Sequence, residues 1–294
     1  MLNNFQKKIV FSLSRRGFFN WFPDKWYISL MYYARLDKKL NLNKPCTFNE
    51  KLQWLKLNER NIAYAKFVDK YEAKELVGNI IGKEHIIPTI GIWNKFDDIN
   101  FEQLPNEFVI KCTHDSGGII ICKDKDSFNI QEAKKKINKC LKKNYYWHCR
   151  EWPYKSVTPR IIVENYIKVS NNNELNDYKF FCFNGKVKFF KIDFDRFIQH
   201  KANYYDTKGN LLPFYEEICP SNPDKKLEMP ENLNEMIKLA ELIAKNHLFL
   251  RVDFYDVNNI IYFGEITFYP ASGFGKILPE EWDFKIGKLL DLEI

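Results

Sequence analysis

Apolar positions along the chain switch between two periods, and the switches mark its elements. Near the C-terminal end, Val252, Phe254 and Tyr255 read as one strand and Ile260 to Phe263 as a second. The polar run Asp256 to Asn259 between them is a hairpin turn. Upstream, Trp26, Leu30, Tyr33 and Leu36 recur at helical spacing until Pro45 breaks the chain. Thr47 followed by Glu50 is a capping-box pattern opening a helix over 49–57, with Leu52, Trp54 and Leu55 as apolar positions. The stretch 67–74 leads into another helix, and Gly82 and Pro88 bound a loop before an Ile-rich segment at 86–92. Strands are predicted at 108–110, ending on Lys111, and at 119–122, then a basic amphipathic helix on Ile130, Ala133, Ile137 and Leu141. A strand over 160–168 is followed by strands at 177–183 and 186–193 joined through Asn184-Gly185, the strongest short hairpin signal in the chain. Positions 230–246 form a helix on Leu233, Ile237, Leu239, Ala240, Ile243 and Ala244. Asn171 to Asn173 and the Pro220 to Pro230 region are loop-like interruptions, and there is no internal repeat.

Two stretches carry candidate chemistry. The C-terminal hairpin brings Asp253 near Glu265, with Thr267 two residues on and therefore on the same strand face as Glu265. Two carboxylates and a hydroxyl make a hard-oxygen site suited to Mg²⁺; the alternative is two half-buried strands whose acids face water. In the second stretch, a strand ending on Lys111 meets the small, polar loop Thr113 to Gly118 and then another strand. Backbone N–H groups of Ser116, Gly117 and Gly118 suit phosphate oxygens, with Lys111 as a point charge. This is no P-loop, because no Gly-Lys-Ser/Thr follows and a strand comes after the glycines. An ordinary tight hairpin reads equally well.

Composition narrows the class. With 294 residues, 45% hydrophobic and 16% aromatic, the chain builds a large core in one elaborated domain or two subdomains. A net charge of +7 suits anionic partners such as nucleotides, sugar acids or a membrane surface without demanding nucleic acid. Seven cysteines without a CxxC pair or zinc spacing point to reduced thiols in a cytoplasmic protein. His148 and Cys149 are set aside as a metal pair, because side chains adjacent in sequence rarely converge. No secretory signal is visible, and no apolar run approaches the ~20 residues of a membrane span. The N-terminus mixes Lys7, Lys8, Arg15 and Arg16 with Phe5, Ile9, Phe11, Phe18, Phe19, Trp21 and Phe22. It reads as a helix packed on the body of the protein, or as a weak peripheral contact with the inner face of a membrane.

The order of these stretches resembles the ATP-grasp superfamily, and more narrowly its teichuronopeptide-biosynthesis-like members encoded among bacterial capsule and cell-wall polysaccharide genes. The resemblance spans nearly the whole chain. It rests on Thr47-Phe-Asn-Glu-Lys-Leu-Gln-Trp-Leu-Lys56, Val68-Asp-Lys-Tyr71, Phe108-Val-Ile-Lys-Cys-Thr-His-Asp-Ser-Gly-Gly118, Asn176-Asp-Tyr-Lys-Phe-Phe-Cys-Phe-Asn-Gly185 and Arg251-Val-Asp-Phe254 with the downstream Glu265. It implies an α+β fold with two subdomains gripping ATP: a largely helical region over 1–105, a small lid-like subdomain over 106–168 and a larger one with the Mg²⁺ site over 169–294. It also implies a carboxylate activated as an acyl phosphate and attacked by an amine, here a uronic acid joined to an amino acid or small amine. By the same resemblance Lys70 and Lys111 hold the ATP phosphates, and Glu164 is the hinge acid near the adenine amino group. Asp177 takes the ribose hydroxyls, Asp253 and Glu265 bind Mg²⁺, and Arg251 faces the transferring phosphoryl group. Thr267 stands where the superfamily usually has Asn, which leaves the third metal ligand open. The rival class is a glycosyltransferase using Asp193-Phe-Asp195 or Asp124-Lys-Asp126 as an Asp-x-Asp metal site. A non-catalytic polysaccharide-binding role ranks below both.

Overall fold

A computed structural model describes residues 3–115, 117–168, 176–195, 199–225 and 227–292. Ser116 and the Asn171 to Asn173 interruption lie outside the described residues.

The chain opens with α1 (Asn4–Arg15), α2 (Asp24–Leu36) and α3 (Phe48–Asn58), then the short α4 (Ala65–Val68) and α5 (Lys70–Ile81). Strands β1 (Thr89–Trp93), β2 (Phe108–Cys112) and β3 (Ile119–Cys122) precede α6 (Ile130–Leu141), the single turn α7 (Tyr146–Cys149) and β4 (Ile161–Asn165). The second half runs β5 (Asp177–Phe183), β6 (Lys186–Phe194), β7 (Lys201–Asp206), β8 (Tyr215–Glu216), α8 (Leu233–Ala244), β9 (Phe249–Val257), β10 (Ile260–Thr267), β11 (Ile277–Leu278) and α9 (Glu281–Gly287). The Thr47–Glu50 capping box is present at the start of α3, as the sequence predicts.

Two antiparallel sheets organise these elements. The smaller has the order β1-β4-β2-β3, so the Ile-rich segment at 89–93 joins this sheet rather than the helical region before it. Its apolar face, with Phe108, Ile110, Cys112, Ile161 and Val163, packs on Ala133 and Ile137 of α6. The larger has the order β10-β9-β5-β6-β7. Phe180, Phe190, Ile192, Val252, Phe254 and Phe263 form one face of it and share the main core with Met236, Ala240 and Ile243 of α8. A third cluster seats α1 and α2 through Tyr27, Ile28, Met31, Tyr32 and Phe11 against Cys149 and Phe274. Phe5, Ile9, Phe18, Trp21 and Trp26 remain exposed. No helix among the described residues is long and apolar enough to cross a membrane.

Turn chemistry sets the registers. Asn184 and Gly185 both take positive φ (49° and 73°), the type I′ geometry that joins twisted strands with two residues. The β9–β10 turn is two residues shorter than the sequence suggests: the strands run on to Val257 and Ile260, and Asn258 and Asn259 (φ 52° and 66°) alone make the turn. Asparagine tolerates this left-handed region better than other residues with a side chain, so the pairing closes up to it.

Candidate active site

That tight turn has a consequence for the acids. An unbroken ladder from Val257↔Ile260 would set Asp253 opposite Gly264 and turn Glu265 to the other face of the sheet. A bulge between Phe263 and Glu265 instead places Glu265 opposite Asp253 and Thr267 opposite Arg251. Gly264 fits there because an added Cβ would lie 3.1 Å from the Asp253 carbonyl oxygen. The bulge is what gathers Arg251, Asp253, Glu265 and Thr267 on one face.

Neighbouring strands extend that face. Asp177 and Lys179 on β5, Lys191 and Asp193 on β6, and Arg251 and Asp253 on β9 each occupy alternate positions in otherwise apolar strands. The Arg251 guanidinium donates to both Asp253 oxygens at 2.7 Å and to Glu265 Oε1 at 3.0 Å. Lys179 Nζ donates to Asp253 Oδ2 at 2.8 Å and to the Asp177 carboxylate, and lies 3.6 Å from Asp193 Oδ2. Lys191 Nζ is 3.2 Å from Asp193 Oδ1. Burial alone would raise the Asp253 carboxyl, but Arg251 and Lys179 outweigh it and hold the group below the usual carboxylate range. Burial likewise opposes the Lys179 charge, and Asp253 and Asp177 more than compensate, so its pKa is raised.

The lid sheet presents a second charged set. Glu164 sits opposite Val109 in the β2–β4 ladder, on the same face as Lys111, whose Nζ is 2.5 Å from Glu164 Oε2. Lys74, one turn beyond Lys70 on α5, pairs with the other carboxylate oxygen and donates to the Ile87 carbonyl at 2.7 Å. Burial pushes Glu164 up, yet Lys111 and Lys74 hold it low. Lys70 is the first residue of α5, a helix capped by Asp69, whose side chain accepts from the backbone of Tyr71 and Glu72. Arg160 braces that cap through Asp69 (3.1 Å) and Glu72 (2.9 Å).

Lys70 connects the two sets. Its backbone N–H donates to Thr113 O at 3.0 Å, and its ammonium donates to Asp115 O, which ties the helix start to the glycine loop. Burial lowers the Lys70 pKa; Glu265 and Asp115 oppose that, while Lys111 adds to it. Gly117 holds φ 98°, a conformation that favours glycine, and a Cβ on Gly118 would lie 2.8 Å from the Asp115 carboxylate, which would have to move aside.

The structure therefore gathers Lys70, Lys111 and Glu164 at the lid, and Asp177, Arg251, Asp253, Glu265 and Thr267 on the large sheet. Glu164 is the penultimate residue of β4 and lies between two lysines. The sequence reading missed Lys74, Lys179 and Lys191. Their signals were present: Lys74 follows Lys70 by four residues, and Asp-x-Lys, Lys-x-Asp and Arg-x-Asp recur in three apolar strands. Asp193 belongs to this ionic face, Asp195 pairs with Lys225 at 2.6 Å, and Asp124 caps a turn by accepting from the Asp126 N–H. Neither Asp-x-Asp triplet stands as a separate paired-acid site. No cluster of candidate metal ligands among the described residues includes His148 or Cys149. A concavity of about 740 Å³ between β3 and α6 is lined by none of the residues assigned to nucleotide or Mg²⁺ binding; of the Asp-x-Asp triplets, Asp124 reaches it.

A hard-oxygen donor set of Asp253, Glu265 and Thr267 suits Mg²⁺. Arg251 already bridges the two carboxylates, which marks the space between them as one that favours a cation.

Two antiparallel sheets with a lysine-lined lid and an acid-lined floor are the architecture of the ATP-grasp class. Residues 50–291 match the family model described as TupA-like ATPgrasp, and the chain belongs to that family. No curated protein sequence matches the chain. Among solved structures it is similar to D-alanine–D-alanine ligase from Bacillus anthracis, at 21% identity and TM-score 0.43, covering 76% of this chain and 65% of that one. It is also similar to N5-carboxyaminoimidazole ribonucleotide synthetase in its ADP complex (12% identity, TM-score 0.45, 74% and 50% coverage). Biotin carboxylase from Campylobacter jejuni is a third (14% identity, TM-score 0.43, 83% and 49% coverage). The chain thus spans about half to two thirds of the length of these proteins.

Proposed function

We propose that the chain is an ATP- and Mg²⁺-dependent carboxylate–amine ligase. The observation that carries this reading is the pair of opposed charged sets: Lys70, tied through Thr113 and Asp115 to the glycine loop, with Lys111 on the smaller sheet, and Arg251, Asp253 and Glu265 gathered on one face of the larger. A triphosphate held there meets cations from both sheets. Lys70, Lys111 and the N–H groups of Gly117 and Gly118 hold phosphate oxygens, and Asp253 and Glu265, with Thr267 as third donor, hold Mg²⁺. The bound ion neutralises charge on the phosphate oxygens. Arg251 stabilises the γ-phosphoryl group as a substrate carboxylate oxygen attacks phosphorus and the bond to ADP breaks. An amine then attacks the acyl carbon, phosphate leaves, and the amine surrenders a proton as the amide forms. Closure of the 113–118 loop keeps water from the acyl phosphate. Glu164 and Asp177 are assigned to the adenine amino group and the ribose hydroxyls.

The family and the +7 charge favour a uronic-acid carboxylate joined to an amino acid or small amine, in building a bacterial surface polysaccharide. Work of this kind is cytoplasmic, and the exposed Phe5, Phe18, Trp21 and Trp26 beside Lys8 and Arg16 suit a peripheral membrane contact. Hydroxylamine supplied with MgATP and a uronic-acid panel should yield a hydroxamate and ADP, with formation lost in Glu265→Gln. Sugar transfer from a nucleotide sugar in ATP-free buffer, undiminished in Glu265→Gln, would overturn the assignment.

A further inference from the structure

A cavity of about 600 Å³ opens between the N-terminal helices and the loop that leaves β10. Basic side chains outnumber the one acid in its walls: Lys7 and Arg15 come from α1, Arg35 from α2, His148 from α7 and Lys276 from the loop, against Glu217. Lys7 and Lys276 have acidic partners, Asp37 at 2.5 Å and Glu217 at 2.8 Å. Arg35 has none among the described residues. Its guanidinium is instead held over the rings of Phe11 (5.8 Å) and Phe274 (5.0 Å), and it donates to the Cys149 sulfur at 3.9 Å. A guanidinium fixed between two aromatic faces is a pre-ordered fork for an oxyanion, and the rings offer an apolar surface to the carbon skeleton behind it.

The segment of chain that carries Glu265 runs on to form part of the cavity wall. Ser272 lines it and lies seven residues beyond Glu265. Three consecutive residues there, Ala271, Ser272 and Gly273, hold left-handed φ of 46°, 54° and 62°. Such a run persists only where surroundings fix it, and buried Lys56 does so by donating to the Ser272 carbonyl at 2.7 Å and the Cys149 carbonyl at 2.9 Å. The Ser272 hydroxyl donates to Glu151 at 2.5 Å, and the Glu151 carboxylate lies within electrostatic reach of Arg251.

We propose that this cavity binds an anionic group of the acid substrate remote from the reacting carboxylate, with Arg35 as its principal contact. The site is thereby matched to acids carrying more than one negative charge. Which end reacts rests on the ligase reading above; the binding site does not. Two sources share this chemistry, a nucleotide-activated uronic acid and an oligouronate, and separate titrations distinguish them.

The test is calorimetric titration of the full chain, without ATP, with UDP-glucuronate, tri-galacturonate and neutral glucose. At least one acid is expected to bind, glucose not, and the acid that binds names the source. Arg35→Gln should weaken that acid tenfold or more, and Lys276→Glu at the rim several-fold, with MgATP affinity unchanged in both. If Arg35→Gln misfolds, Lys276→Glu and Arg15→Gln carry the test. Wild-type acid affinity in these variants, or no acid binding by the wild type at millimolar concentration, overturns the proposal. Acid binding that depends on Arg35, without ADP or hydroxamate formation on adding ATP, would sink the ligase reading and leave the site standing.

Discussion

Glu164 is the residue whose removal tests the electrostatic account most directly. Its carboxylate is 2% exposed and carries two ammonium partners, Lys111 at 2.5 Å and the buried Lys74. Glu164→Ala leaves Lys74 with the Ile87 carbonyl as its remaining hydrogen-bond acceptor, and takes away the charge that opposes the downward push of burial on its pKa. Deleting one member of a buried ionic pair costs about 3–5 kcal/mol, a large share of the 5–15 kcal/mol that holds a typical domain together. With a urea m-value of about 3 kcal/mol/M, the unfolding midpoint should fall by about 1 M or more. The pH dependence has a definite sign. Because the folded Glu164 pKa lies below the usual carboxylate value, its stabilisation is fully present above about pH 4.5 and fades as pH falls through the folded pKa. Glu164→Gln should remove that acid limb. The triple change Lys74→Met, Glu164→Leu, Lys111→Met should recover most of the stability while losing nucleotide binding, since packed apolar residues replace buried ions with little loss. A Glu164→Ala midpoint within about 0.3 M of wild type would refute the reasoning.

Two further expectations concern nucleotide affinity and a second buried titratable group. Lys70→Ala and Lys111→Ala should each weaken MgATP by about 1.5–3 kcal/mol, the usual worth of a charge-assisted hydrogen bond; unchanged affinity and unchanged turnover would remove both from the phosphate site. His247, packed among Tyr64, Phe67 and Phe268, has its pKa lowered by burial from 6.5 to about 4. The neutral ring is favoured in the fold, so its stabilisation is complete above pH 6.5 and lost as pH falls toward 4; His247→Gln should flatten thermal stability across that window.

Much of this arrangement is legible in the sequence, because local signals decide it. Asn184-Gly185 specifies its turn through positive φ, Thr47 and Glu50 specify a helix start, and the position of Lys111 before a glycine loop follows from strand periodicity. The bulge at Gly264 is not legible. A glycine in a strand permits a bulge without demanding one, and the register here depends on where the Asn258–Asn259 turn closes. Lys74 and Lys179 escaped for a related reason. Their spacing is readable, but what buries and pairs them comes from elsewhere in the chain: Glu164 on β4 for Lys74 of α5, and Asp253 on β9 for Lys179 of β5.

The strand order of the large sheet also bears on how the protein acquires its activity. β5–β6 and β9–β10 are local hairpins, each closed by a two-residue turn at small entropic cost. Joining them requires β5 to find β9 across the intervening β6, β7 and α8, a non-local pairing of the kind that slows folding. The Lys179–Asp253 ion pair spans that seam. A chain with both hairpins formed but the seam open would carry Asp253 and Glu265 without Lys179, and hence acids without their full complement of positive charge. Catalytic competence and completion of the sheet then arrive in the same step, and backbone amides along β5 and β9 should exchange with solvent only through global unfolding.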